Sequence, residues 1–230
     1  MTIKAIFLDF YGTVVHEDEK IINRICQQIK ENSPTKSTVK EIGGVWWEEL
    51  ARLFRKSYGA NFRYQRTLEE SSLQKTLSHF HSSLDETTLC EEMFDYWMRP
   101  DIFPDSVTFL SDNTLPVYIL SNIDRDDILK AMKAHQISVE DVITSEDVKS
   151  YKPRPEMFNY ALELSGLTPS EVIHVGDSLS SDVAGANHVG IRSVWVNRTD
   201  RVNKGEKKPD YEIKALDELT HIINSIGVSK

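Results

Sequence analysis

Ile6-Phe7-Leu8-Asp9-Phe10-Tyr11-Gly12-Thr13 is the stretch that decides the fold. A short apolar run ends on a carboxylate, and a glycine then turns the chain. In an open parallel sheet the functional groups collect at the carboxyl ends of the strands, so residues 3–8 read as a first strand and Asp9 as a site residue. Working outward, apolar or β-branched runs recur at 115–120, 142–144, 172–175 and 193–196. Helical patterns fill the gaps between them, at about 124–135, 155–165 and 180–188. This alternation predicts an α/β fold, a doubly wound parallel sheet with helices on both faces.

About a hundred residues separate the first strand from the second. Within them Ile21, Ile22, Ile25 and Ile29 mark one helix, and Ile42, Trp46, Leu50 and Leu53 a second. A third is expected at about 66–81 and a fourth at about 85–98, ended by Pro100. The domain reading is therefore a sheet domain of residues 1–15 plus 100–230 with a four-helix insertion at 16–99. Residues 203–209 read as a surface loop before a last helix near 216–223.

The 230 residues, 40% of them hydrophobic, are enough for one large domain or a core with an inserted lobe. A formal charge of -9 argues against a nucleic-acid binder, which needs a basic face. No apolar run has membrane-spanning length, and the N-terminus enters a strand without a charged leader, so no membrane is expected and a cytoplasmic protein is. Cys26 and Cys90 lack metal-ligand or C-x-x-C spacing and read as buried or half-buried thiols. An anionic substrate would gain nothing from the overall field and would need local positive charge.

Four polar signals follow strand-like runs. They are Asp9 after Leu8, Ser121-Asn122 after Leu120, Lys152 beyond Thr144, and Asp177 after Val175 with Asp182 five residues later. In a doubly wound sheet these ends converge on one crevice. Together, in this order, they resemble the haloacid dehalogenase-like hydrolase superfamily. Asp9-x-Tyr11-Gly12-Thr13 is similar to its first motif, Leu120-Ser121-Asn122 to its second, Lys152-Pro153 to its lysine motif and Gly176-Asp177-x-x-x-x-Asp182 to its acidic fourth motif. The resemblance implies a Rossmann-like core, with the insertion as a helical cap.

It also implies roles. Asp9 would be the nucleophile, forming an ester that water later hydrolyses. Asp9, Asp177 and the backbone carbonyl of Tyr11 would supply oxygen ligands to Mg²⁺, with Asp182 acting directly or through water. Ser121 and the backbone N–H of Asn122 would bind the transferring group, and Lys152 would hold Asp9 ionised. The expected partner is a small anionic substrate, and the chain is read as a monomer or homodimer.

Tyr11 divides the functional reading. The family's phosphatases usually have an aspartate there that protonates the leaving group and then activates water. A tyrosine with a pKa of about 10 is a poor base at neutral pH. Losing such a group costs about 10² to 10⁴ in rate. His16 or Glu17 is a candidate substitute. Tyrosine at this position resembles the family's 2-haloacid dehalogenases, which need no metal, whereas Asp177 with Asp182 resembles the metal-dependent phosphatases. Dehalogenases also place a carboxylate-binding arginine in the cap, for which Arg52 or Arg55 is the nearest candidate. The expected reaction is Mg²⁺-dependent hydrolysis of a small phosphorylated metabolite. The alternatives are metal-free 2-haloacid dehalogenation and a slow or non-catalytic metabolite-binding protein.

Other residues take structural readings. His174, in mid-strand, reads as a hydrogen-bonded structural histidine. Trp46, Trp47, Phe54 and Tyr58 read as core of the insertion. Glu48-Glu49 and Glu69-Glu70 read as solvated helix faces.

Overall fold

Strand β1 (Ala5–Leu8) is buried on every residue because it lies in the middle of its sheet. The computed structural model describes residues 2–203, 205 and 208–227. Among them, β1 is joined by β2 (Val117–Ser121), β3 (Asp141–Thr144), β4 (Val172–Gly176), β5 (Arg192–Val196) and β6 (Tyr211–Ile213). All neighbours pair in parallel, in the order β3-β2-β1-β4-β5-β6. The order reverses direction at β1 and β4, and such a switch point opens a crevice at the carboxyl ends of the strands.

The chain divides into two compact units. One comprises the described residues of Met1–His16, Asp101–Asn122 and His135–Lys230, and the other Glu17–Pro100 with Ile123–Ala134. The helical unit holds α1 (Glu19–Asn32), α2 (Val39–Lys56), α3 (Gln65–His79) and α4 (Glu86–Trp97). The sheet unit adds α5 (Pro104–Asp112), and the helical unit is completed by α6 (Arg125–Ala134). The remaining helices belong to the sheet unit: α7 (Ser145–Val148), α8 (Glu156–Ser165), α9 (Ala184–His188) and α10 (Leu219–Gly227).

The placement of α6 departs from the sequence boundaries, which left it with the sheet. Its anchoring explains why. The Asp124 carboxylate accepts the backbone N–H groups of Gln65 (2.8 Å) and Arg66 (3.1 Å), satisfying donors at the start of α3. Asp127 takes the Arg66 guanidinium through two bonds of 2.9 and 2.5 Å. No helix among the described residues is long and apolar enough to cross a membrane. Of the loop read at 203–209, residues 204, 206 and 207 lie outside the described residues.

In the sheet unit, Ala5, Phe7, Leu120, Ile143 and Val172 form one apolar face against Met157, Phe158 and Ala161 of α8 and Ala186 of α9. Gly185 permits this packing, because a Cβ there would enter the Phe158 ring. In the helical unit, α2 starts on a capping box in which Thr38 and Glu41 satisfy each other's backbone donors. It buries Ile42, Trp46 and Leu50, spaced four residues apart on one face.

That spacing corrects the aromatic reading. Trp47, rotated about 100° from Trp46, is 63% exposed, and Tyr58 is exposed as well. Glu69 corrects a second reading: it is 6% exposed, on the face of α3 that also buries Leu68, Ser72, Leu73 and Thr76. Both cysteines are free and buried.

Burial, with the charge of Asp18 adding to it, pushes the Glu69 carboxyl up to about 8, against hydrogen bonds from Gln65 and Trp46. The folded chain thus keeps a proton that the unfolded chain releases near its ordinary value of 4.5. Stability therefore falls as pH rises from about 4.5 to 8. Glu69→Gln is expected to match the wild type near the acid end of that window and to be about 2–4 kcal/mol more stable above it. Urea unfolding of both proteins at two pH values checks this, and a pH-independent difference would refute it.

Candidate active site

The register of the sheet gathers the four motifs. Leu8 lies beside Ile119 of β2 and Val175 of β4, so Asp9, Ser121 and Asp177 all leave the sheet at the same end. Asp9 is buried, with one carboxylate oxygen accepting the Lys152 ammonium at 2.8 Å and the other the Thr13 hydroxyl at 3.0 Å. The turn that delivers Thr13 depends on Gly12, whose φ is +85°. A Cβ on Gly12 would also stand 2.8 Å from the carboxyl carbon of Asp177. Only glycine meets both demands.

Lys152 is 4% exposed, and its ammonium meets three acceptors: Asp9 Oδ1 (2.8 Å), Asp182 Oδ1 (2.7 Å) and the Leu120 carbonyl (2.7 Å). Asn122 positions it. The Asn122 side-chain amide donates to the Lys152 carbonyl (3.1 Å) and accepts the Lys152 backbone N–H (2.7 Å). Asn122 is thus brought to the site by its side chain as a clasp on the lysine segment, a role that its backbone-donor expectation did not include.

Asp182 follows β4 on a π-helical turn, Leu179–Val183. Its Oδ1 accepts both Lys152 and His174 Nε2 (3.0 Å), and its Oδ2 accepts the Ser178 backbone N–H (3.0 Å). A Cβ on Gly176 would collide with the Asp182 carboxyl, so glycine is required there too. Asp177 is buried, and Arg201 reaches its Oδ2 at 2.9 Å. One oxygen from each of Asp9, Asp177 and Asp182 lies within 4.8 Å of the others.

The electrostatics follow from burial and pairing. Burial pushes the Asp9 carboxyl up to about 6, with Lys152 and Thr13 opposing and Asp182 adding to the rise. Burial would also raise Asp182, but Lys152 and His174 outweigh it and hold that carboxyl well below the usual range. For Lys152 the two carboxylates overcome the burial that favours a neutral amine, so its pKa is raised. Burial lowers the pKa of His174, which makes it a neutral ring.

Ser121 is buried at the end of β2, at the same end of the sheet as Asp9 and Asp177. Tyr11 is half-buried, with its ring edge-to-face on Phe10 at 5.2 Å. His16 is stacked on Phe103. Arg52 is engaged by Glu49 at 2.5 Å, and Arg55 is exposed.

Two arginines were missed by the sequence reading. Arg198 donates to the Thr13 carbonyl (2.7 Å) and, through two bonds, to Asp105 (3.0 and 2.9 Å). Arg201 contacts Asp177. The available signal was their place just beyond the run at 193–196, another strand end.

Comparison with known proteins agrees with this geometry. The model for haloacid dehalogenase-like hydrolases matches residues 3–190, and the chain belongs to that family. It is 33% identical over 138 residues to phosphoserine phosphatase of Thermus thermophilus, covering 57% of this chain and 55% of that enzyme, about half its length. With (S)-2-haloacid dehalogenase 1 of Pseudomonas sp. the identity is 24% over 237 residues, covering 96% of each chain. The solved structure of L-2-haloacid dehalogenase from Xanthobacter autotrophicus superposes with a TM-score of 0.76 at 21% identity, covering 97% of this chain and 99% of that one.

Removing the Lys152 ammonium leaves buried carboxylates without their cation, which typically costs about 3–5 kcal/mol. Lys152→Met is expected to lower the melting temperature and to abolish turnover. Asn122→Ala should keep the fold but lower kcat about 10- to 100-fold, by loosening the lysine. Thermal unfolding and steady-state kinetics of the two variants check both expectations.

Proposed function

We propose that the chain is a Mg²⁺-dependent phosphohydrolase acting on a small, activated phosphorylated metabolite, with Asp9 as nucleophile. The observation that supports this most is the cluster of three buried carboxylates, Asp9, Asp177 and Asp182, within 4.8 Å. Lys152 pairs with Asp9 and Asp182 and the half-exposed Arg201 with Asp177, so the three buried carboxylates have a single buried cation among them, and all the donors of the cluster are hard oxygens of the kind Mg²⁺ takes. The residues that would hold the cation are Asp9, Asp177 and the backbone carbonyl of Tyr11. Asp182, whose Oδ1 already accepts two hydrogen bonds and whose Oδ2 accepts the Ser178 N–H, would serve by holding Lys152 in place. When bound, the cation supplies charge neutralisation between the carboxylates and an anionic substrate.

The residues of the chain supply the rest. Hydrogen bonds to both oxygens of Asp9 fix the carboxylate for attack. Lys152 and Ser121 would stabilise charge on the transferring group. Tyr11 replaces the usual proton-handling aspartate, which is why an activated phosphate, whose leaving group departs without a proton, is the favoured class.

A second reading, hydrolysis of 2-haloacids, is favoured by Tyr11 itself and by the full-length likeness to the Pseudomonas dehalogenase. Against it stands the acidic pair after β4. The chain is also 37% identical over 86 residues to YfnB of Bacillus subtilis, and a structure of YfnB is described as bound to magnesium.

Phosphate release from acyl, aryl and alkyl phosphates, with Mg²⁺ or with chelator, separates these readings. The expected outcome is Mg²⁺-dependent release that is lost in Asp9→Asn. Alkyl phosphates should be slower than acyl phosphates by about 10² to 10⁴, and Tyr11→Asp should narrow that gap. Halide release from a 2-haloacid in the presence of chelator would instead support the dehalogenase reading. Binding without any turnover would leave a metabolite-binding protein.

A further inference from the structure

The segment after β5 sends a second cation to the acidic cluster, by a route separate from Lys152. Arg201 Nη2 donates to the Asp177 backbone carbonyl at 2.6 Å and to Asp177 Oδ2 at 2.9 Å. The same carbonyl accepts Trp195 Nε1 at 2.7 Å, and the guanidinium carbon lies 5.8 Å from the Trp195 ring centre. The backbone that carries Arg201 is fixed by the buried Asn197, whose amide accepts the Arg201 N–H (2.8 Å) and donates to the Arg201 carbonyl (3.0 Å). The Arg201 side chain is nevertheless 47% exposed, so it can leave Asp177 for solvent without disturbing a core.

We propose that Arg201 is a positioning residue that acts as an internal counter-ion for Asp177 and competes with the divalent cation for that carboxylate. The inference rests on the metal reading above and adds to it what sets the affinity. Without the cation, Arg201 neutralises Asp177 and fixes its orientation. A cation binding at Asp177 must displace the guanidinium from Oδ2 or sit beside a like charge. The half-exposed position screens that repulsion, which leaves a penalty of about 3- to 10-fold in affinity.

The test is calorimetric titration of Mn²⁺ into the intact protein without substrate, for the wild type, Arg201→Gln and Arg201→Lys, with Asp177→Asn identifying the site. Arg201→Gln is expected to bind about 3- to 10-fold more tightly than the wild type, and Arg201→Lys, which keeps the charge, to stay within about 2-fold. The difference should shrink at about 1 M salt. Equal or weaker binding by Arg201→Gln, with the site still lost in Asp177→Asn, would overturn the competition while leaving the metal reading intact. No Mn²⁺ binding by any of the proteins would overturn the metal reading and this inference with it.

Discussion

The three N–H groups of the Lys152 ammonium meet three acceptors that the chain delivers from different places: Asp9 after β1, the Leu120 carbonyl in β2 and Asp182 after β4. An ammonium has three donors and no acceptor, so this contact is fully satisfied. Burying a lone charge costs several kcal/mol, and only good geometry with complete hydrogen bonding offsets it. The lysine therefore fixes the relative positions of three strand ends as a condition of being buried at all. Asn122 sets the lysine's backbone, the capped turn of α7 precedes it, and the sheet register brings its acceptors together.

Behind the ammonium lies a second layer. Asp182 is held as a carboxylate, which only accepts, so the neutral His174 ring must donate through Nε2. The histidine that reads as structural from its mid-strand place is structural, and what it structures is the partner of Lys152. Gly176 gives Asp182 the space to reach back, as Gly12 gives Asp177. Each acidic side chain thus rests against a backbone position where a Cβ would displace it. The two glycines are as much a part of the charge arrangement as the carboxylates are.

What the sequence made legible is what local pattern encodes. Short apolar or β-branched runs marked the strands, and polar residues at or beyond their ends marked Asp9, Ser121, Lys152 and Asp177. The short edge strand β6 (Tyr-Glu-Ile) and helix α5 were not marked, because three residues carry no period and α5 mixes apolar and acidic residues without a clear stripe. Long-range polar contacts left no trace either. Nothing around Asp124 announces that it caps a helix starting at Gln65, nor around Arg201 that it meets Asp177. Adjacent residues also exchange roles within one turn, as Trp46 and Trp47 do. Glu69 escaped because a glutamate on a helix is usually solvated, and only its packed neighbours reveal otherwise.

On the function proposed above, Tyr11 and Asp177 answer different chemical questions, and their coexistence bears on the class of substrate. Whether a leaving group needs a proton is decided at the residue two after the nucleophile. Whether the substrate's charge needs a cation is decided by the acidic pair after β4. Tyrosine at the first place suits a leaving group that departs as a stable anion. A retained carboxylate at the second suits a transferring group that is itself highly anionic. A halide leaving carbon meets the first condition without the second, and an ordinary alkyl phosphate meets the second without the first. An acyl or similarly activated phosphate meets both, and for such a substrate neither residue has to be read as a relic of the other chemistry.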